Sequence, residues 1–437
     1  MRGKRWVLPV LFALATVSIG CGTDTGIRVP AVGQIVSGED MEQSTDGAEK
    51  GVKQVPEENV GSAENTQQAV QSTGDVRKNV DSTQENSGSA DVVNESENSS
   101  ETTGEVEDSD VNRTNSDDFS ILISAAGDVT MGNYLGQNYS YTFDDTYEKC
   151  SDKNYFFSHV KEIFAADDMT IVNLEGPLTM AEEPAPGRTF NIKGKPEYAV
   201  LLPAAGIEAV SMGNNHRLDY QEAGTADTVE ALKENGIVYA YDGNVGIYET
   251  DSGIRIGYVS VNEVAWGTGV EKFLKKGIAK LQEEGVDLIF TCCHWGIERE
   301  YYPEDYQKEL GRKCIDWGAD LVIGHHPHVL QGIECYRGKY ILYSLGNFCF
   351  GANKNPSDKD TMIFQQKFVP GEDGKMIPGE AKVIPCSISS VSNRNDYCPT
   401  PATDQEAERI LERINEYSKE FGVYADEEGI LRDAGAE

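Results

Sequence analysis

From Phe119 onward the chain alternates short apolar runs with longer amphipathic stretches. The runs Ser120–Ala126, Met169–Leu174, Ile207–Met212, Ile237–Ala240, Ile254–Val261, Val286–Cys293, Asp320–Ile323 and Lys339–Ser344 are brief, and that pattern predicts strands. Between them, Tyr155–Ala166, Gln221–Asn235, Val270–Glu284 and Pro303–Trp317 carry apolar residues at helical spacing with polar faces, which predicts helices. Such alternation argues an α/β domain with largely parallel sheets covered by helices. Further on, Met362–Pro370 and Glu380–Ser390 flank the turn "PGEDGK" and predict an antiparallel hairpin. The stretch "PATDQEAERILERINEYSKEFG" predicts one helix, with Thr403 or Asp404 as its cap.

The first 118 residues follow another pattern. The opening "MRGKRWVLPVLFALATVSIGC" has a basic start, an apolar run from Trp6 to Ile19, and a small residue before Cys21, the layout of an export signal. The run falls short of the roughly 20 residues of a spanning helix. Cysteine directly after the small residue predicts a bacterial lipoprotein, cleaved before Cys21 and lipid-modified on it. Ser18 stands where Leu, Val or Ile is usual, so a plain secreted protein or an uncleaved anchor stays open. Residues 22–118 hold no Phe, Trp or Tyr, and carry 22 acidic against 6 basic side chains. A segment so poor in apolar area cannot offset its ordering entropy and is expected to be a disordered acidic linker. At about 55 Å root-mean-square span, it would carry a domain away from a membrane surface.

The expected organisation is therefore a signal segment over residues 1–21, a linker over 22–118, a folded domain over 119–391 and a C-terminal helical extension over 392–437. The linker supplies nearly half of the formal net charge of −35, so the acidity describes a tether more than a binding face. No basic stripe is available to replace counterions, which argues against nucleic acid. Eight cysteines follow Cys21, none in paired C-x-x-C spacing, so neither a zinc knuckle nor a disulfide pairing is predicted.

Candidate chemistry gathers where predicted strands end. Those ends read "AAGDVTMGN" with Asp128, "IVNLEGPLT" with Asn173 and Glu175, and "VSMGNNHRLDY" with Asn214, Asn215, His216 and Asp219. Later ends read "IFTCCHWGIE" with His294, "LVIGHHPHVLQG" with His325, His326 and His328, and "YILYSLGNF" with Asn347. Singly, each is ordinary turn or cap chemistry. Together they place five of the chain's six histidines, with carboxylates and amides, directly after strands of one domain, while His159 lies in a predicted helix. That concentration predicts one shared polar site. Imidazole and carboxylate donors without thiolate suit Zn, Mn or Fe. Two such ions about 4 Å apart can clamp a phosphate ester, and an uncoordinated histidine can protonate its leaving group.

The ordered series Gly-Asp, Asn-Leu-Glu, Gly-Asn-Asn-His, His-Trp-Gly, Gly-x-His-Pro-His and Ser-Leu-Gly-Asn-Phe resembles the CapA-type poly-γ-glutamate capsule synthesis family over roughly residues 119 to 391. That family is in turn similar to the calcineurin-like metallophosphoesterases. The resemblance implies an α/β fold, a four-layer αββα sandwich of the metallophosphoesterase type, with two divalent ions on loops after strands. It implies that Asp128 and His328 bind the first metal, that Glu175 replaces the bridging aspartate, and that Asn215, His294 and His326 bind the second. His216 would be the acid, oriented by Asp219. Asn347 is a candidate substrate-binding residue. The phosphoesterase pattern begins Asp-x-His, whereas this chain has Asp128-Val129-Thr130, and Glu175 is longer than the usual aspartate.

Two functional readings follow. In one, the protein helps make, export or anchor poly-γ-glutamate or another envelope polymer at the outer face of the cytoplasmic membrane or the cell surface, held to the membrane by a lipid anchor and working with other capsule synthesis membrane proteins. In the other, it is a surface metal-dependent phosphoesterase or hydrolase. A binding module with a vestigial pocket is a third. The chain has no Gly-x-x-x-x-Gly-Lys-Ser/Thr loop, which argues against its carrying an ATP-dependent ligase step. Arg188, Lys193 and Lys195 are candidate polymer contacts, or a solvated loop.

Overall fold

The computed structural model describes residues 119–433 together with the strand Gln34–Val36. The expected signal segment with Cys21, the rest of the expected linker and residues 434–437 lie outside the described residues. Gln34–Val36 pairs antiparallel with Val245–Glu249, so this short part of the expected disordered linker is an edge strand instead. Among the described residues no helix is long and apolar enough to cross a membrane.

Two mixed sheets form the centre. In the first, Ile121–Thr130, Met169–Leu174, Ala209–Ser211 and Val238–Ala240 run parallel in that order. Asp360–Pro370 adds antiparallel to Ile121–Thr130, and Met376–Ser387 completes the predicted hairpin. In the second, Arg255–Asn262, Leu288–His294, Leu321–His325 and Lys339–Leu342 are parallel neighbours, with antiparallel strands Val245–Glu249 and Ile333–Tyr336 outside them. Met169–Leu174, Leu288–His294 and Leu321–His325 are buried at every position, which is why they read as continuous apolar runs.

The sheets pack face to face. Ile123, Ile171 and Phe364 of the first join Tyr258, Phe290 and Ile323 of the second in one apolar cluster, and the rings of Phe290 and Phe368 lie 5.8 Å apart. Outside the second sheet, Leu274, Ile278 and Leu281 of helix Val270–Glu283 and Leu310 and Cys314 of helix Asp305–Trp317 cover Ile289 and Val322. Outside the first, Phe156, Phe164, Leu202 and Leu232 cover Val172 and Val210. The layers are thus helix, sheet, sheet, helix, the αββα sandwich expected. The predicted start of helix Asp305–Trp317 is held by a reciprocal capping box between Glu304 and Gln307.

Differences from the predicted elements have local causes. Tyr155–Ala166 is a 3-10 turn, Lys153–Phe157, followed by the single-turn helix Lys161–Phe164. Phe156 stacks on Phe143 at 4.4 Å, and this packing overrides the helical spacing. The strand Val245–Glu249 escaped prediction because Gly246 interrupts its apolar pattern. A Cβ at Gly246 would stand 2.6 Å from the Tyr258 ring, so the glycine marks close packing rather than a turn. The stretch after residue 391 is only partly helical. It holds helix Asp404–Ser418, with Thr403 at its N-cap, and a small hairpin of Val423–Ala425 with Leu431–Asp433. Tyr397, Ile410 and Ile414 are buried in the same clusters as the preceding domain.

At the end of the first sheet away from the candidate chemistry, Glu208 Oε2 accepts the Thr170 N–H at 2.8 Å, and Asp167 Oδ2 accepts the Thr170 hydroxyl at 2.7 Å. Burial pushes the Glu208 carboxyl up to about 8 and the Asp167 carboxyl up to about 7. An acid raised in the folded state binds more protons folded than unfolded. Its contribution is fully present below the usual carboxylate range and is lost as pH rises through the folded value. Thermal stability is expected to fall between about pH 5 and pH 8 from this pair. Replacing both groups by amides, Glu208→Gln with Asp167→Asn, is expected to flatten that part of a Tm-against-pH curve. An unchanged slope in the double variant would remove the pair as its source.

Candidate metal centre

The site forms where strands of both sheets end on one rim. Register sets its base: Asp128 pairs with Asn173 and with Asn347 in the first sheet, and His294 pairs with His325 in the second. The backbone approach there is tight. The Asp128 N–H donates to Gly346 O at 2.9 Å, and a Cβ at Gly127 would stand 2.0 Å from that oxygen. Only glycine permits the strand to deliver Asp128 against the segment that carries Asn347.

Asp128 is fully buried. Its Oδ1 accepts from Asn173 Nδ2 at 2.9 Å, while His328 Nδ1 lies 3.2 Å from its Oδ2. His325 Nδ1 lies 3.2 Å from Oδ1 but has no hydrogen-bond partner. Burial pushes the Asp128 carboxyl up, but the His325 and His328 imidazoles outweigh it and hold the group well below the usual carboxylate range.

Glu175 is 1% exposed, and neither of its oxygens has a hydrogen-bond partner. Three imidazoles surround it instead: the Nε2 atoms of His294 and His328 lie 3.8 Å from Oε1, and that of His216 lies 3.9 Å away. These gaps are too long for hydrogen bonds and leave room between donors. Burial pushes the Glu175 carboxyl up to about 7. Burial works against a charged His328, yet the Glu175 and Asp128 carboxylates prevail and push it up to about 10. His294 is held well below its ordinary value, and His326 is pushed down to about 3, by burial and then by neighbouring imidazoles. The last two rings are therefore neutral, the form that ligates metals.

His216 Nδ1 lies 2.7 Å from Asp219 Oδ2, and the buried Asp219 also accepts the Ile192 N–H and Arg188 Nη1, each at 2.7 Å. Asp219 is thus held from three sides and fixes the ring so that Nε2 faces Glu175. Asn215 Oδ1 lies 2.9 Å from His294 Nε2. Beneath them Asn214 Nδ2 donates to Asn173 Oδ1 at 3.1 Å and to Leu174 O at 2.8 Å, an amide layer under the donor set.

The predicted residues Asp128, Glu175, Asn215, His216, Asp219, His294, His326 and His328 are all brought together. Asn347, predicted to touch substrate, is 4% exposed and lies behind His328: its Oδ1 is 3.0 Å from Nδ1, and its amide donates to the His328 carbonyl at 3.2 Å. Lys193 bonds the Ala181 carbonyl and lies over the Tyr220 ring, and Lys195 pairs with Glu148, so of the three candidate basic residues only Arg188 reaches the site. Thr130 is buried with an unpartnered hydroxyl where the phosphoesterase pattern has histidine.

Donor atoms converge in two groups, each within 4.8 Å: Asp128, Glu175 and His328, and then Glu298, His326 and His328. Glu298 was missed, although it closes the quoted "HWGIE" segment, because an exposed loop carboxylate carries no pattern of its own. Buried carboxylate oxygens that have no hydrogen bond and face imidazole nitrogens fit a divalent cation.

The family model for the bacterial capsule synthesis protein PGA_cap matches residues 122–352. The chain belongs to this family. The PGA biosynthesis protein CapA of Bacillus subtilis (strain 168) is 33% identical over 262 residues, 54% of this chain and 65% of that one. The capsule biosynthesis protein CapA of Bacillus anthracis is 28% identical over 255 residues, 53% of this chain and 60% of that one. The chain thus spans less than two thirds of the length of these PGA_cap relatives. Among solved structures, TT1561 of Thermus thermophilus is similar with a TM-score of 0.35 and 10% identity, covering 56% of this chain and 94% of that chain.

The backbone approach gives a direct test. Gly127→Ala is expected to force the Asp128 strand and the Gly346 turn apart and to cost about 1–3 kcal/mol. Denaturant titration would read this as a lowered midpoint with unchanged slope. Wild-type stability in the variant would mean that the contact does not constrain the site.

Proposed function

We propose that this PGA_cap protein takes part in the synthesis, export or anchoring of poly-γ-glutamate or a related envelope polymer, through a divalent-metal centre at the ends of its two sheets. The observation that carries the metal reading is Glu175: a buried carboxylate with no hydrogen-bond donor and three imidazole Nε2 atoms at 3.8–3.9 Å. Asp128, Glu175 and His328 would hold one ion, and Asn215, His294 and His326 a second. When bound, the cation supplies Lewis-acid polarisation and charge stabilisation for hydrolysis of a phosphate ester or similar bond.

The chain's own groups supply the rest. His216 has its pKa raised: burial works against the charged ring, but the Asp219 hydrogen bond and the Glu175 charge outweigh it. With Nδ1 held by Asp219, its exchangeable proton sits on Nε2, facing the centre, which suits a general acid. Asn347 and Asp128 fix His328 from behind. The relatives named for capsule and PGA biosynthesis support a polyanionic substrate. For a chain of formal charge −35, a cation at the centre would provide the local positive charge such a polymer needs. In this proposal the protein is exported, anchored by a lipid on Cys21 at the outer membrane face, and works beside other capsule synthesis membrane proteins. A surface metal-dependent phosphoesterase, independent of any polymer, is the second reading, favoured by the placement of His216.

Metal analysis of the purified full chain is expected to find bound Mn, Zn or Fe, and His294→Ala or His328→Ala is expected to weaken retention by about 10- to 100-fold. Hydrolysis of a generic phosphodiester should fall in step. A wild-type protein that binds no divalent ion would overturn the metal reading, and metal binding without hydrolysis would leave a polymer-binding role. Anchoring has its own test: Cys21→Ser is expected to move the protein from the membrane fraction to the medium, and retention on the membrane would reject the lipid anchor.

A further inference from the structure

Glu298 lies on the loop that leaves strand Leu288–His294 and turns back over the segment His326–His328. Three hydrogen bonds pin that loop. The Gly296 N–H donates to the Tyr306 hydroxyl at 2.7 Å, the Arg299 N–H donates to Pro327 O at 2.8 Å, and Glu300 O accepts from Gln331 Nε2 at 2.8 Å. A Glu298 oxygen and one ring nitrogen from each of His326 and His328 all lie within 4.8 Å of one another.

An exposed carboxylate beside imidazoles is common without a ligand, so proximity alone decides nothing. Two further features do. His326 is 5% exposed, and its Nδ1 has no hydrogen-bond partner, an expense that a buried ring nitrogen ordinarily avoids. The backbone that presents these rings is also strained. His326 has φ +98° directly before Pro327, where the ring of proline favours extended, negative-φ backbone, and His328 has φ +59°. Strain of this kind persists where surrounding structure enforces it, and it clusters at ligand sites.

We propose that Glu298 is a metal ligand. With His326 and His328 it bounds an outer divalent-cation position at the mouth of the centre, sharing His328 with the inner group of Asp128 and Glu175. The inference rests on the metal-binding reading above and assigns a residue that reading does not use. One carboxylate and two imidazoles form a donor set for Mn, Zn or Fe, with no thiolate to restrict it to zinc. Thr130 removes an imidazole from the inner position, and Glu298 adds a carboxylate to the outer one. The donor balance is thereby displaced toward solvent, where the outer ion would be open to an incoming anionic ligand.

The test is a Mn²⁺ titration of the purified full chain, followed by electron paramagnetic resonance and calorimetry, for wild type, Glu298→Gln and Glu298→Asp. Glu298→Gln is expected to weaken one ion by about tenfold or more while leaving another in place, and Glu298→Asp to recover part of the loss. Thermal unfolding of the metal-stripped proteins should be alike, since the side chain is exposed. If Glu298→Gln titrates like wild type, the ligand assignment falls and the metal reading stands. If wild type binds no Mn²⁺ at all, both fall.

Discussion

The unbonded carboxylate of Glu175 is the constraint around which the site is built. An ionised carboxylate taken out of water costs several kcal/mol unless charge or hydrogen bonds answer it. Here no donor comes within hydrogen-bond range, and the neighbours are imidazoles at nearly 4 Å. The raised Glu175 and His328 express the same conflict from opposite sides: one carboxyl is driven toward its neutral form, and one imidazole toward its charged form. A divalent cation among these donors would resolve both at once, which is why the geometry points to metal more strongly than any single motif does.

That constraint reaches into the fold because the donors belong to different sheets. Asp128, Glu175, Asn215 and His216 lie near or just past the ends of strands of the first sheet, while His294, His326 and His328 lie at or just past the ends of strands of the second. Their convergence requires the sheets to keep one register across the apolar layer of Ile123, Phe290, Ile323 and Phe364. Sliding one sheet over the other by a single residue would move its donors by about 3.3 Å, more than a metal–ligand bond. The large buried rings that separate the sheets therefore position chemistry as well as contribute stability.

What was legible in the sequence was the part of this scheme carried by local pattern. Fully buried parallel strands leave unbroken apolar runs, and a polar residue at the end of such a run stands out, so Asp128, Glu175, His294 and the His326–His328 pair were readable. Glu298 was not, because it is an exposed charge in a loop, held near His326 by the hydrogen bonds of Gly296, Arg299 and Glu300. The contacts of Asn347 were hidden for a related reason: its position after a strand was visible, but its burial behind His328 depends on pairing between Asn347 and Asp128, two positions far apart in the chain. The strand at Val245–Glu249 was hidden by a glycine whose purpose is the Tyr258 ring.

Thr130 is where the chain departs from the Asp-x-His pattern. Its hydroxyl is buried without a partner, so the threonine does not replace the missing imidazole by hydrogen bonding. Asp128 nonetheless keeps two imidazole neighbours, because His325 and His328 each bring Nδ1 to 3.2 Å from one of its oxygens. Both come from the opposite sheet, whereas the Asp-x-His pattern would draw a histidine from the strand of Asp128 itself. The doubled histidine of "GHHPH" supplies the extra ring, since His325 ends strand Leu321–His325 while His326 and His328 turn into the loop. The electrostatic environment of Asp128 therefore depends on contact between sheets more than on its own strand, which ties the inner position to sheet packing more tightly than the Asp-x-His pattern alone would.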